Sequence, residues 1–575
     1  MKKLNYLASF LIAAVLLSSC GGIDKMKEEY GTLTFSTTPK VLEMHGGEVE
    51  YTIKGDIPPE WFNKKAIVEF TPVLTYDGGE KVLESKTFQG IDVQANHKVI
   101  EFETGGTINF EGTFDYEEGM RASQLVMRGE ARVADGDDVL PLPEKQIAKG
   151  VVATPNLAMI NPKPVMIPDN FKRVTMEEQK ADIHYVIERD NVRNSELTQE
   201  DIQKLEEFVK NVEQAQNKTY KGIKIHGYAS PDGPIDLNER LSKGRKNSAN
   251  SYFDKVVDKK KLSEDEAKKI YEAKTTTEDW DGFKKLVQQS NIEDKDLILR
   301  VLSMYSDPDV REKEIKNMAA TFKVLADEIL PKLRRSEFMV QVEKVGFSDR
   351  EIQQFLISNP DTLNLEEVLY AGYKLYKDPA QKLRAFEMAA EKEPNCLRAY
   401  NNIAAVKLMQ GEMDDAEDAL EKANELKEGN PYVLNNMGVI EMHKGNIAEA
   451  KEYFQDATEA GNEVEYNLGI VSIKEGKYDA AINYLQNEES FNTALAMLLG
   501  GKQGNAQTML EQIDDKSAKN HYLQAVIAAR NNNQEEVFNN LRNAIEMDAD
   551  LKEMAATDME FVEFLENQAF QSIVQ

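Results

Sequence analysis

The stretch "GYASPDGPIDLNERLSKGR", residues 227–245, gathers the side chains best suited to hold a ligand. "LNERLSKGRKNSANSYFDKVV" has the pattern of a helix. Asn238, Ser242 and Arg245 stand at i, i+4 and i+7, so they share one face of its first turns. The first amides of a helix have no partner within it, and an arginine two turns in adds a fixed charge and a fork of donors. Together they make a natural carboxylate site. Ser230 and Asp232 lie in the Gly- and Pro-rich loop that leads into this helix. Pro231 stands between them and fixes the backbone, which limits how far Asp232 can move toward position 230. This is chemistry of binding rather than of bond breaking. The six histidines (His45, His97, His184, His226, His443, His521) are scattered. No HExxH, CxxC, nucleophile elbow or phosphate loop accompanies them. The expectation is a protein without catalytic residues, metal or cofactor.

The loop needs a strand to deliver it and a second helix to back it. "YKGIKIHGYA" reads as that strand, "IHYVIE" as another, and "TQEDIQKLEEFVKNV" as an amphipathic helix with Thr198 as N-cap. These define an α/β region over 181–350. A helical insertion at 257–330 carries "LSEDEAKKIYEA", "TTTEDWDGFKKLV" and "DVREKEIKNMAATFKVLADEIL", with Trp280 and Phe283 read as core.

Three segments in order, "SELTQEDIQKLEEF", "IKIHGYASPDG" and "NERLSKGRKNSANSYF", resemble the OmpA-like peptidoglycan-binding domain. Gly227, Gly233, Asn238, Leu241, Ser242 and Arg245 match its pattern in spacing, and Arg334, Arg335 and Glu337 in "LRRSEFMVQVEKVG" match its last strand. The resemblance implies that Arg245 takes the carboxylate of a diaminopimelate residue, while an aspartate takes its amine. At the family's His and Asp positions this chain has Tyr228 and Ser230. Loss of that aspartate costs a charge-assisted hydrogen bond, on the order of 1.5–3 kcal/mol, unless Asp232 replaces it. The loop therefore holds peptidoglycan weakly, holds an altered ligand, or keeps only the fold.

Residues 30–151 alternate in the strand period, as in "GEVEYTIKG" and "KAIVEFTPVLTYDGGEKVLESKTFQG", and predict a β-sandwich with Trp61 and Phe62 in its core. The stretch 152–180, rich in proline, reads as an extended linker. Over 351–575 the chain is helical and repeats at 34 residues: Ala404 with Gly438, Gly411 with Gly445, Ala416 with Ala450, Ala423 with Ala457. These positions resemble the tetratricopeptide repeat family, ending in a capping helix. That resemblance implies a solenoid whose groove takes a segment of a partner protein, or else a rigid spacer.

The first twenty residues have a basic start, the apolar run "YLASFLIAAVLL" and "LSSC" ending at Cys20, so the signal-like segment is 1–19. They resemble a bacterial lipoprotein signal, which implies acylation of Cys20 and a short tether over 20–29. Cys396 is the only other cysteine and reads as a small buried residue. A net charge of −30 argues against nucleic acid or anionic headgroups as partners. The order lipoprotein, sandwich, OmpA-like domain, repeats resembles envelope lipoproteins of the Bacteroidales. The expected function is a non-enzymatic, outer-membrane, periplasm-facing tether or assembly scaffold, touching peptidoglycan through the loop and an envelope protein through the repeats. The alternative is a subunit of a fimbrial or transport complex at the surface, without wall contact.

Overall fold

The computed structural model describes residues 21–257, 269–514 and 516–575; Cys20 and the signal-like segment lie outside the described residues. The chain forms two compact units. One comprises the chain up to Pro168 together with Asp378–Gln575; the other is Asp169–Lys377.

The first unit begins with helix α1 (Gly21–Glu28), followed by strands Thr34–Thr38 (β1), Leu42–His45 (β2), Glu48–Ile57 (β3), Ala66–Tyr76 (β4), Gly79–Val82 (β5), Lys86–Gly90 (β6), Lys98–Ile100 (β7), Gly106–Asp115 (β8), Gln124–Val133 (β9), Val139–Pro141 (β10), Lys145–Lys149 (β11) and Val151–Val152 (β12). One sheet runs β1-β3-β2-β12 with β8 on β3. The other runs β10-β9-β4-β6-β7, with β11 on β9 and β5 on β4. Strict alternation of buried and exposed residues along β3 explains the choice, since one face must meet the opposite sheet. Trp61, Phe62, Phe70, Phe88 and Phe110 fill the interior, as expected for the first two. The tether expected over 20–29 is instead α1, with Met26 buried and its carbonyl accepting from Trp61 Nε1 at 3.0 Å. A run with only Ile23 and Met26 as apolar residues gave the sequence little to show.

The helical part of this unit stacks antiparallel pairs: Leu397–Gln410 with Met413–Leu426, Pro431–Lys444 with Ile447–Asp456, Asn462–Lys474 with Tyr478–Tyr484, Phe491–Leu499 with Gln503–Gln512, and Ala518–Arg530 with Gln534–Met547. Gly438 lies so close to Phe454 that a Cβ would stand 2.6 Å from its ring. The 34-residue spacing of small residues is thus the spacing of close helix contacts. Where a single capping helix is expected over 558–575, a 3-10 turn at Met559–Phe561 and a short helix at Gln568–Val574 follow the helix Leu551–Thr557.

The presumed linker is not one. Thr154–Leu157 forms a 3-10 turn, and the residues after it, up to Ile167, lie along the first helices of successive pairs, with Leu157, Ala158 and Val165 buried. Proline density signalled extended backbone correctly but could not signal burial.

In the second unit, Val174–His184 (β13), Lys218–Tyr228 (β14), Tyr271–Thr276 (β15) and Arg335–Val345 (β16) form a sheet in the order β13-β16-β14-β15, with β14 and β15 parallel and the other pairs antiparallel. Helices α2 (Glu200–Gln214) and α3 (Ile235–Val256) contribute Ile202, Leu205, Val209 and Phe253 to a core shared with Ile183, Ile223, Ile225 and Phe338. Four boundaries move. β13 starts at Val174, because "VTMEEQK" is an edge strand with no buried face to pattern it. Gln199, not Thr198, is the N-cap of α2. The expected insertion contains strand β15 before its helices begin at Trp280, and 258–268 lie outside the described residues. Helices at Asp349–Ser358 and Leu365–Tyr370 belong to this unit, so the repeats begin near Asp378 rather than at 351.

Candidate functional sites in the loop and the repeat groove

β14 ends at Tyr228 and α3 starts at Ile235, which sets the loop between them. Gly227 touches α3 so closely that a Cβ would sit 2.4 Å from the Ser242 carbonyl. Only glycine allows this approach. Arg245 is almost completely buried; its Nη1 donates to the Tyr228 carbonyl at 2.8 Å and its Nε to the Arg189 carbonyl at 3.1 Å. Burial, and after it the neighbouring Arg334, push its pKa down to about 10. Among the described residues it has no ion pair with a carboxylate. Asn238 Nδ2 donates to the Gly233 carbonyl at 2.9 Å and holds the loop closed.

Asp232 turns back onto Ser230, accepting from its hydroxyl, and pairs with Arg334 Nη2 at 2.9 Å. Arg334 Nε also reaches Ser230 Oγ at 3.3 Å. Pro231 therefore does not keep Asp232 away, contrary to the expectation. Of the four residues singled out from the sequence, Ser230 and Asp232 meet at a fifth, Arg334, whose place in "LRRSEF" gave only a strand match. Arg245 feels its charge, and Asn238 bonds the loop backbone instead. The arrangement sets one hydrogen-bonded carboxylate against two buried guanidiniums. Next to it, Tyr228 is stacked between His226, 4.0 Å away and 18° from parallel, and the Arg335 guanidinium at 4.0 Å. Arg335 in turn pairs with Asp279 at 2.6 Å. Burial pushes the Tyr228 hydroxyl up to about 12 and pulls His226 below its ordinary value.

The helices from Trp280 onward have a core of their own, with Phe283, Val287, Ile298 and Leu302 buried in it. Trp280, Phe283, Phe322 and Leu325 face Pro231 and Asp232 across a crevice of ≈10 Å³. That is room for about one water, not for an amino acid side chain.

The groove of the repeats is built differently. Asn402, Asn436, Asn467 and Asn492 lie in the first helices of four successive pairs and are almost fully buried. Each reads both backbone groups of one residue. Oδ1 accepts from the N–H of Ile167, Val165 and Lys163 at 2.7 Å and of Met159 at 2.9 Å. Nδ2 donates to the carbonyls of the same residues at 2.9, 2.9, 3.0 and 2.9 Å. Asn401 and Asn435 add donors to Val165 and Lys163 and bridge the ladder from pair to pair. Lys163 Nζ reaches Glu488 at 2.6 Å and lies 4.2 Å from the centre of the Tyr466 ring. Where the sequence predicted a partner's segment in this groove, the occupant is the chain's own. The signal was available: "NN" recurs at 401–402 and 435–436, polar pairs inside otherwise apolar helices.

The tetratricopeptide repeat family profile matches residues 431–460. No curated protein matches the chain. Among solved structures, the helical region is similar to YrrB, described as a TPR protein with an unusual peptide-binding site, at 27% identity over 29% of this chain and 94% of that one, TM-score 0.25. It is also similar to a tetratricopeptide repeat protein from Parabacteroides merdae, at 15% identity over 39% and 89%, TM-score 0.27. PilW, described as a type IV pilus biogenesis factor, matches at 19% identity over 40% and 98%, TM-score 0.26. Among the described residues no helix is long and apolar enough to cross a membrane.

Proposed function

We propose that the chain is a non-enzymatic scaffold of the cell envelope, held to the outer membrane through Cys20 and facing the periplasm. Its α/β unit is an OmpA-like module with weakened or altered peptidoglycan contact, and its repeats engage protein segments. The observation that carries the scaffold reading is the amide ladder: the side chains that the repeats place in their groove hold a peptide backbone. The repeat match at 431–460 supports contact with proteins. The strand–loop–helix arrangement and the buried Arg245 support the OmpA-like reading, while the Asp232–Arg334 pair, which engages the loop's carboxylate, supports weakened contact.

The test uses the full mature chain made soluble by Cys20→Ala and mixed with peptidoglycan sacculi. Weak co-sedimentation is expected, and Arg245→Met should abolish it in a chain that still folds. Absence of any co-sedimentation would favour the second reading, a subunit of a surface complex without wall contact. The closed loop is the observation on that side. In cells, Cys20→Ala should leave the protein either soluble or unprocessed; a processed chain that stays with washed membranes would show that the anchor reading is wrong or that a partner holds it.

A further inference from the structure

The way residues 158–168 fill the groove defines what else fits it. The positions read through both backbone groups are Met159, Lys163, Val165 and Ile167, and each must supply an N–H. Pro162, Pro164 and Pro168 fall at the other positions, where no asparagine asks for a donor. One side chain is read by charge, Lys163, through Glu488 and the Tyr466 ring. Asn161 Oδ1 accepts from Tyr466 Oη at 2.9 Å, and Val165 is buried against the helices.

We propose that the groove is a peptide receptor held in a self-occupied state: residues 158–168 are its resident ligand. Its external ligand is an extended segment of a partner protein carrying a lysine between two prolines and an apolar residue two places on. This rests on the scaffold reading and names the chemistry of the partner. Two physical facts favour a receptor over a merely packed connection. The ladder reads N–H and carbonyl of the same residue in turn, which suits any extended backbone that offers donors in this register. Proline keeps such a segment extended when free, so little ordering cost opposes capture. The resident segment is tethered, with an effective concentration on the order of millimolar, and it outcompetes a free peptide of equal intrinsic affinity.

The probe is a fluorescein-labelled synthetic peptide of residues 157–169, titrated by anisotropy into the full mature chain with Cys20→Ala. Lys163→Pro in the chain removes one read donor and the charged contact from the resident segment while leaving it extended. The peptide should bind that variant about tenfold or more tighter than the unaltered chain. Adding Asn436→Ala to the variant should weaken binding about tenfold or more, since the Val165 N–H then lacks its acceptor while Asn401 still serves the carbonyl. A peptide with Lys163→Glu should also bind about tenfold more weakly. If the Lys163→Pro chain does not fold, Val165→Ala, which trims the resident segment alone, takes its place in the same comparison. A folded variant that binds no tighter than the unaltered chain overturns the proposal. If peptide binding fails while cross-linking in cells still finds an envelope partner, the receptor is refuted and the scaffold stands. If binding succeeds without such a partner, the scaffold reading falls instead.

Discussion

Asp558 is sealed between helices with its carboxylate accepting from Tyr522 Oη at 2.7 Å and from the Glu560 amide at 3.0 Å. Burial, and next the charge of Glu560, raise its pKa above the ordinary value. The folded state therefore keeps the proton to higher pH than the unfolded chain does, and stability falls as pH rises from about 4. Asp558→Asn keeps an acceptor and removes the charge. Its melting temperature at pH 7 should be higher by roughly 2 °C or more, with the gain vanishing as pH is lowered toward about 4. Arg245 shows the limit of reading residues singly. Its type and spacing announced a carboxylate site, and the structure does gather Ser230, Asp232 and Asn238 near it. What the sequence lacked was the closing partner, Arg334, about a hundred positions on in the chain, and the helices that cover the loop. Neither leaves a local pattern, because both depend on long-range packing.

At the scale of elements, the legible parts were those with a period. Alternation along β3 and the 34-residue recurrence of Gly438 and its counterparts each report a buried face. β13 and α1 were missed or misplaced because an edge strand and an eight-residue helix bury too little to impose one. The asparagine ladder belongs here as well. Asn436→Ala leaves the buried Val165 N–H without its acceptor, although Asn401 still serves the carbonyl. The expected loss is about 2–3 kcal/mol of stability in urea unfolding, together with faster amide exchange at Val165. Gly438→Ala drives a methyl into the Phe454 ring and should cost about 1–3 kcal/mol in the same measurement.

At the scale of the molecule, the sandwich and the repeats share one compact unit although the second unit interrupts them in the chain. Gly46 lies against Glu475 and Gly476, His45 meets the Tyr478 ring at 5.8 Å, and Thr154 donates to Glu560. Each part has its own core, and these contacts join the two. A chain ending at Lys377 should therefore lose protection across 153–168 in limited proteolysis, and its sandwich should melt below that of the whole protein. Equal melting temperatures and an uncut 153–168 would show that the sandwich stands alone.

The groove also sets an order of events in time. Ile167 meets Asn402, 235 residues later, and Met159 meets Asn492, 333 residues later. In a chain that emerges N-terminus first at ~5–20 residues per second, residue 167 waits roughly 12–47 s for its first asparagine. Later repeats then arrive in the order Asn436, Asn467, Asn492 and take up Val165, Lys163 and Met159. If seating follows synthesis, closure runs backward along the segment, like a zip drawn toward the N-terminus, and pulse-labelled exchange should protect the Ile167 amide before that of Met159.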